Sequence, residues 1–162
     1  MKHYNMKANI GIPDNHLQAV AEKLQVLLAD EQVLYTKTRN YHWNVEGDNF
    51  SEMHLFYEKQ YDELAEIIDE VAERIRMIGH YSTGRLVDFL KLTQLTEPEY
   101  TNDQPEQIKN LVEDHETIIR SLRTLITEFA DKHKDLGTSD FVTGLLRQHE
   151  KMAWMLRSYL KK

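Results

Sequence analysis

Apolar side chains recur at helical spacing through four long stretches of this chain, and very little interrupts them. Only 6 glycines and 3 prolines punctuate 162 residues, too few turns for a many-stranded sheet, so all-β architectures are excluded. The first stretch runs from Asp14, read as its cap, to Asn44, with Leu17, Ala21, Leu24, Leu28 and Tyr35 at helical positions. Gly47 and Asn49 form a turn before the second, Phe50 to Ile78, which carries Leu64, Ile67, Ile68, Val71, Ile75 and Ile78 and stops at Gly79. Between Ser82 and Glu99, Gly84 and Pro98 bracket enough apolar residues for one short helix in a long crossover. The third long stretch begins near Asp103, with Pro105 in its first turn, and carries Ile108, Leu111, Val112, Ile118, Leu122, Leu125 and Phe129. Gly137 is expected to end that region, and the fourth helix to start at Thr138 or Ser139 and reach Lys161 and Lys162. The fold class is therefore all-α: a four-helix bundle whose second and third helices are parallel, joined by a crossover containing a short extra helix.

The length suits one domain over residues 1–162, with residues 1–13 as an N-terminal arm. Apolar residues make up 41% of the chain and charged residues 29%, values that support a packed core and argue against disorder. Cysteine is absent, which excludes disulfide scaffolds, zinc–thiolate centres, iron–sulfur clusters and cysteine nucleophiles. Any metal must sit on nitrogen and oxygen. No apolar run is long enough for a signal peptide or a bilayer span, so the expected setting is soluble and cytoplasmic, with no membrane partner. A formal charge of −7 has the wrong sign for a body that grips nucleic-acid phosphates, and makes cations the expected small partners.

The second helix carries the chemistry. His54, Glu58, Asp69 and Glu73 are metal-ligand types, and on a helical wheel with His54 at zero they fall at about 40°, about 60° and about 100°. All four share one face, yet the His54/Glu58 pair lies about 22 Å along the axis from Asp69/Glu73, so one copy of the helix cannot close one site. Both pairs are centred on the same point, between Glu63 and Leu64. An antiparallel crossing of this helix with a two-fold copy of itself would bring His54 near the copy's Glu73, and Glu58 near its Asp69, making two identical sites. His42, just before the turn, adds a second imidazole. Two histidines and three carboxylates form a ligand field suited to iron or manganese. The internal di-iron centre of ordinary bundles needs Glu-x-x-His on two helices, and no histidine here has Glu three residues before it.

A bundle with one long crossover is the topology of ferritin-like folds. The stretch His42-Trp43-Asn44-Val45-Glu46-Gly47, followed by Met53-His54 and Glu58, resembles the first signature of the Dps proteins, the "DNA protection during starvation" mini-ferritins. Ile68-Asp69-Glu70-Val71-Ala72-Glu73-Arg74 through Ile78-Gly79 resembles the second. Met53 stands where Leu or Val is usual and Ser82 where Pro or Ala is usual, neither at a ligand position. The resemblance covers the whole chain and implies a hollow homododecamer with ferroxidase sites shared across dimer interfaces. His42, His54 and Glu58 would come from one subunit, and Asp69 and Glu73 from its two-fold mate. Two ferrous ions per site would be oxidised, with hydrogen peroxide preferred over dioxygen, and the ferric product stored as mineral, in an oxidative-stress and iron-homeostasis role.

Several residues have two readings. Trp43 either packs at the helix end or lies over the site and intercepts stray oxidant. Asp62 shares the ligand arc and is either an outer partner of the site or an exposed helix carboxylate. His115 and His149 fall among apolar positions and are expected as buried, hydrogen-bonded core residues. Asp131, Asp135 and Asp140 cluster where the resemblance places three-fold pores, as a negative funnel for ferrous iron or as a solvated acidic loop. Lys2 and Lys7, with His3, form a thin basic arm of the sort some relatives use to hold DNA, weak singly and strengthened by repetition over a shell. The rival reading is a nucleoid-associated, DNA-binding structural protein with little ferroxidase activity.

Overall fold

Five α-helices follow one another in the computed structural model, which describes residues 7–160: α1 (Asp14–Asn44), α2 (Phe50–Met77), α3 (Leu86–Leu92), α4 (Gln104–Thr127) and α5 (Leu136–Arg157). A π-helical turn, Glu128–Lys132, extends the end of α4, and among the described residues there is no strand. The helix starts follow local chemistry. Asp103 caps α4 by accepting a hydrogen bond from the Glu106 amide, and Pro105 sits in the first turn, where its missing N–H costs nothing. At the end of α2, Gly79 adopts φ 91°, a conformation that glycine reaches without strain.

The expected boundaries of α1 and α5 are corrected; α5 starts at Leu136 and ends at Arg157, while Lys161 and Lys162 lie outside the described residues. Asp14 does not cap α1; Pro13 precedes the helix, no side-chain cap bond forms, and Asp14 lies in the first turn, where a carboxylate favours the positive helix end. Gly137 does not terminate anything, since it is the second residue of α5. The break before α5 falls at the π-helical turn and at Lys134, which takes φ 58°, and Asp135 caps α5 by accepting from the Thr138 amide. A Cβ at Gly137 would meet the Arg74 guanidinium at 3.0 Å, so a larger residue there would require that side chain to shift by a few tenths of an ångström. Arg74 reaches across from α2 to donate to the Thr138 hydroxyl.

α1 and α2 form one hairpin and α4 and α5 the other. Tyr41 pairs with Asn110 and Lys37 with Asp114, so positions rising along α1 meet positions falling along α4. These two helices are therefore antiparallel, and α2 and α4 run parallel, as a long crossover requires. Leu24, Leu28, Leu34, Leu64, Ile67, Ile75, Ile108, Leu122 and Phe129 are among the fully buried side chains of one shared core.

The crossover is pinned along α1 by buried charge. Asp30 accepts from the Thr93 hydroxyl at 2.7 Å and the Gln94 amide at 2.6 Å, while Lys37 donates to the Thr96 carbonyl at 2.6 Å and to Asp114 at 2.5 Å. Deeper in the bundle, Glu31 of α1, His149 of α5 and His115 of α4 form a fully buried polar chain. His149 Nε2 lies 2.8 Å from the Glu31 carboxylate, and the two Nδ1 atoms of His149 and His115 lie 2.9 Å apart. The expected burial and hydrogen bonding of both histidines is thus observed, with Glu31 as the anchor.

Burial, reinforced by the neighbouring His149, holds the His115 imidazole well below its ordinary value of 6.5, so it stays neutral in the native protein. The unfolded chain binds a proton at this residue below that value and the native state does not. The stability contributed is complete above about pH 6.5 and is lost as pH falls below it, by up to about 1.4 kcal/mol per unit. Urea titrations at about pH 7.5 and about pH 5.5, at fixed protein concentration, should show a larger loss in the wild type than in His115→Gln. Equal losses would contradict the assignment.

Candidate metal centre

His42 closes the last turn of α1 and His54 opens the second turn of α2, so the Val45–Asn49 connection folds one imidazole back on the other. The rings stack with centroids 3.7 Å apart and planes 20° from parallel. Their backbone contacts are reciprocal. His42 Nδ1 lies 2.8 Å from the His54 carbonyl oxygen, and His54 Nδ1 lies 2.8 Å from the His42 carbonyl oxygen. A carbonyl only accepts, so both Nδ1 atoms carry a proton, and in the neutral imidazole the lone pair is then on Nε2. Neither Nε2 has a hydrogen-bond partner among the described residues. An N–H fixed on a backbone carbonyl, with the other nitrogen free, is the arrangement that orients imidazole for a metal.

Glu58 lies one turn beyond His54 on the same face and is half-buried, while Asp69 and Glu73 lie farther along α2 and are exposed. Among the described residues, none of these three carboxylates has an internal hydrogen-bond or ion-pair partner. The single chain gathers His42, His54 and Glu58 at one end of α2 and leaves Asp69 and Glu73 at the other. Among the described residues no cluster of three or more histidines and carboxylates is arranged to hold a metal within one chain.

The sequence of residues 21–162 matches the model of the ferritin-like domain. A DNA protection during starvation protein from Porphyromonas gingivalis is 38% identical over 152 residues, covering 94% of this chain and 95% of its own. An uncharacterized low temperature-induced protein of Nostoc is 42% identical over 158 residues, covering 96% of this chain and 87% of its own. The Dps protein of Vibrio cholerae, described as a member of a broad superfamily of ferritin-like diiron-carboxylate proteins, superposes with a TM-score of 0.90 at 34% identity, over 96% of this chain and 97% of its own. The chain belongs to the Dps family. Its ferritin-like bundle is thereby shown at the level of fold and of family.

Around the histidine pair this Dps chain builds a shell that the motif reading missed. Tyr61 meets His42 edge-on at 5.2 Å, and Phe50 stacks on His54 at 5.1 Å. Arg39 places its guanidinium 5.1 Å from the centroids of both Tyr61 and Trp43 and 5.7 Å from that of Tyr35. The signal was present in the spacing, since Arg39 is three residues before His42 and Tyr61 seven after His54, each on its ligand's own helical face. Trp43 is 62% exposed and packs on Arg39, and Asp62 is exposed. Burial, with the Glu58 carboxylate next, raises the Tyr61 phenol above its ordinary range.

The three aspartates near the α4–α5 connection do not form one exposed cluster. Asp131 and Asp140 are exposed, but Asp135 is 3% exposed. Its carboxylate accepts from the Thr138 amide at 2.9 Å and hydroxyl at 2.5 Å and faces Arg74 at 3.5 Å, so within the chain Asp135 caps α5. Of the expected basic arm, Lys2 lies outside the described residues. Lys7 is exposed, 3.6 Å from Asp14. No described helix is long and apolar enough to cross a membrane.

Proposed function

We propose that the chain is the protomer of a hollow Dps shell that takes ferrous iron and hydrogen peroxide as substrates and stores the ferric product, shielding DNA from oxidative damage. The carrying observation is the reciprocal His42/His54 pair, which fixes both rings through Nδ1 and leaves both Nε2 atoms without a partner among the described residues, with Glu58 one helical turn beyond His54 on α2. Membership in a family whose Vibrio cholerae member is called a ferritin-like diiron-carboxylate protein, and whose Porphyromonas gingivalis member is named for DNA protection, supports the same reading.

In this reading each site is completed across a two-fold interface by Asp69 and Glu73 of a second copy, carboxylates that have no hydrogen-bond or ion-pair partner among the described residues of their own chain. The imidazoles hold the ferrous ions, and the three carboxylates favour the ferric product. Two ferrous ions held together give both electrons to one peroxide, which with two protons leaves as two waters. A lone ion gives one electron and leaves a hydroxyl radical. The chain's contribution is positional, with Nδ1 protons locked on carbonyls so that neither ring turns away.

Anaerobic ferrous loading followed by a stoichiometric peroxide pulse tests this, with ferric absorbance and hydroxyl-radical trapping recorded together. Rapid oxidation with little trapped radical is expected. Slow oxidation with a radical yield like that of free iron would reject the reading and turn attention to DNA retention by the N-terminal arm.

A further inference from the structure

A line of ring contacts leads away from the histidine pair, and the two-iron reaction does not use it. His42 touches Tyr61 edge-on at 5.2 Å, and Tyr61 touches Tyr35 edge-on at 6.1 Å. Arg39 lies over both tyrosine rings, and its Nη1 donates to the Tyr35 hydroxyl at 2.8 Å. The guanidinium fixes both rings by cation–π contact, yet it has no lone pair with which to accept a phenolic proton. Both tyrosines are half-buried, so each also reaches water. The result is a connected path of π-systems from a candidate iron ligand to the protein surface, made of two side chains that oxidise by one electron.

We infer that Tyr61 and Tyr35 store one oxidising equivalent when a site holds a single ferrous ion, an inference that rests on the ferroxidase reading above. One ferrous ion breaks the peroxide O–O bond with one electron, giving ferric iron, hydroxide and a hydroxyl-radical equivalent. Tyr61 supplies the second electron and its phenolic proton, so that equivalent becomes water and Tyr61 becomes a neutral phenoxyl. Tyr35 then re-reduces Tyr61 through the ring contact, its own proton leaving to water while Tyr61 takes one up. A second ferrous ion arriving later returns one electron, and a solvent proton restores the phenol. The sum is two ferrous ions, one peroxide and two protons going to two ferric ions and two waters, the stoichiometry of the filled site. Tyr61 is the first donor because its ring touches His42 directly, whereas Trp43 packs on the Arg39 guanidinium.

The experiment loads the full-length protein with less than one ferrous ion per site, adds peroxide, and freezes the mixture for electron paramagnetic resonance while a parallel sample is spin-trapped. The wild type should give a tyrosyl signal that narrows when its tyrosines are ring-deuterated, with little trapped hydroxyl radical. Tyr61→Phe, which keeps the ring and loses only the hydroxyl, should lose the signal and raise trapped radical several-fold. Tyr35→Phe should retain a signal confined to Tyr61. Tyr81→Phe, a ring packed on Arg76 instead, should leave both readouts unchanged. Equal signal and equal trapping in wild type and Tyr61→Phe would overturn the inference. Fast oxidation at full loading with no tyrosyl signal at partial loading removes the relay alone, whereas iron oxidation no faster than in buffer removes the ferroxidase reading beneath it.

Discussion

Replacing His42 and Asp69 together by alanine is expected to slow peroxide-driven iron oxidation by at least about 100-fold while leaving the assembly intact. Outer partners of metal ligands already cost 10–100-fold when removed, so loss of two ligands should fall at or beyond that upper end. Assembly should survive because Asp69 is exposed, and because the contacts His42 makes are with the His54 carbonyl and neighbouring rings rather than with the main apolar core. Stopped-flow ferric absorbance with size-exclusion chromatography reads both quantities, and unchanged kinetics would reject the site. A sharper version uses the single variants. If each site takes His42 from one copy and Asp69 from its mate, co-assembling His42→Ala chains with Asp69→Ala chains creates dimers with one wholly intact site and one lacking both residues. Activity should then return on mixing. A site confined to one chain gives no such recovery.

Lys37→Met is expected to destabilise the fold by about 3–5 kcal/mol, the cost of stranding a buried charge without its partner. Lys37 and Asp114 have side chains only 5% and 8% exposed, and their 2.5 Å contact joins α1 to α4 while the same ammonium holds the Thr96 carbonyl of the crossover. Burial already raises the Asp114 carboxyl above its ordinary value even with Lys37 beside it, so without the lysine it must protonate or admit water. Adding Asp114→Leu should recover most of the loss, because removing both charges leaves nothing uncompensated. Urea unfolding of the four proteins at fixed protein concentration gives the coupling directly. A loss under about 1 kcal/mol in Lys37→Met would place this pair among ordinary surface ion pairs.

Much of the architecture was written locally. The four long helices appear within a residue or two of their expected starts, apart from α5, because apolar recurrence, the Asp103 cap and Gly79 act over a few residues. Burial of His115 and His149 was legible for the same reason, since each sits on an apolar face. α5 began earlier than expected because a π-helical turn and an αL residue, Lys134, broke the chain where no glycine or proline announced it.

What the sequence alone determined is therefore the class of fold, the family signature and the identity of the candidate ligands, all of which depend on residue type and on spacing along one helix. Only the tertiary structure decided which atoms face each other. The exchange of Nδ1 contacts between His42 and His54 depends on how the Val45–Asn49 turn rotates α2 against α1. The Glu31–His149–His115 chain, the Arg74–Asp135 contact and the Tyr61–Arg39–Tyr35 cluster likewise depend on helix rotation and helix contacts. Periodicity says which face of a helix turns inward, but the partner met there is set by the rotation and offset of helices distant in sequence, which close packing of the whole core fixes at once.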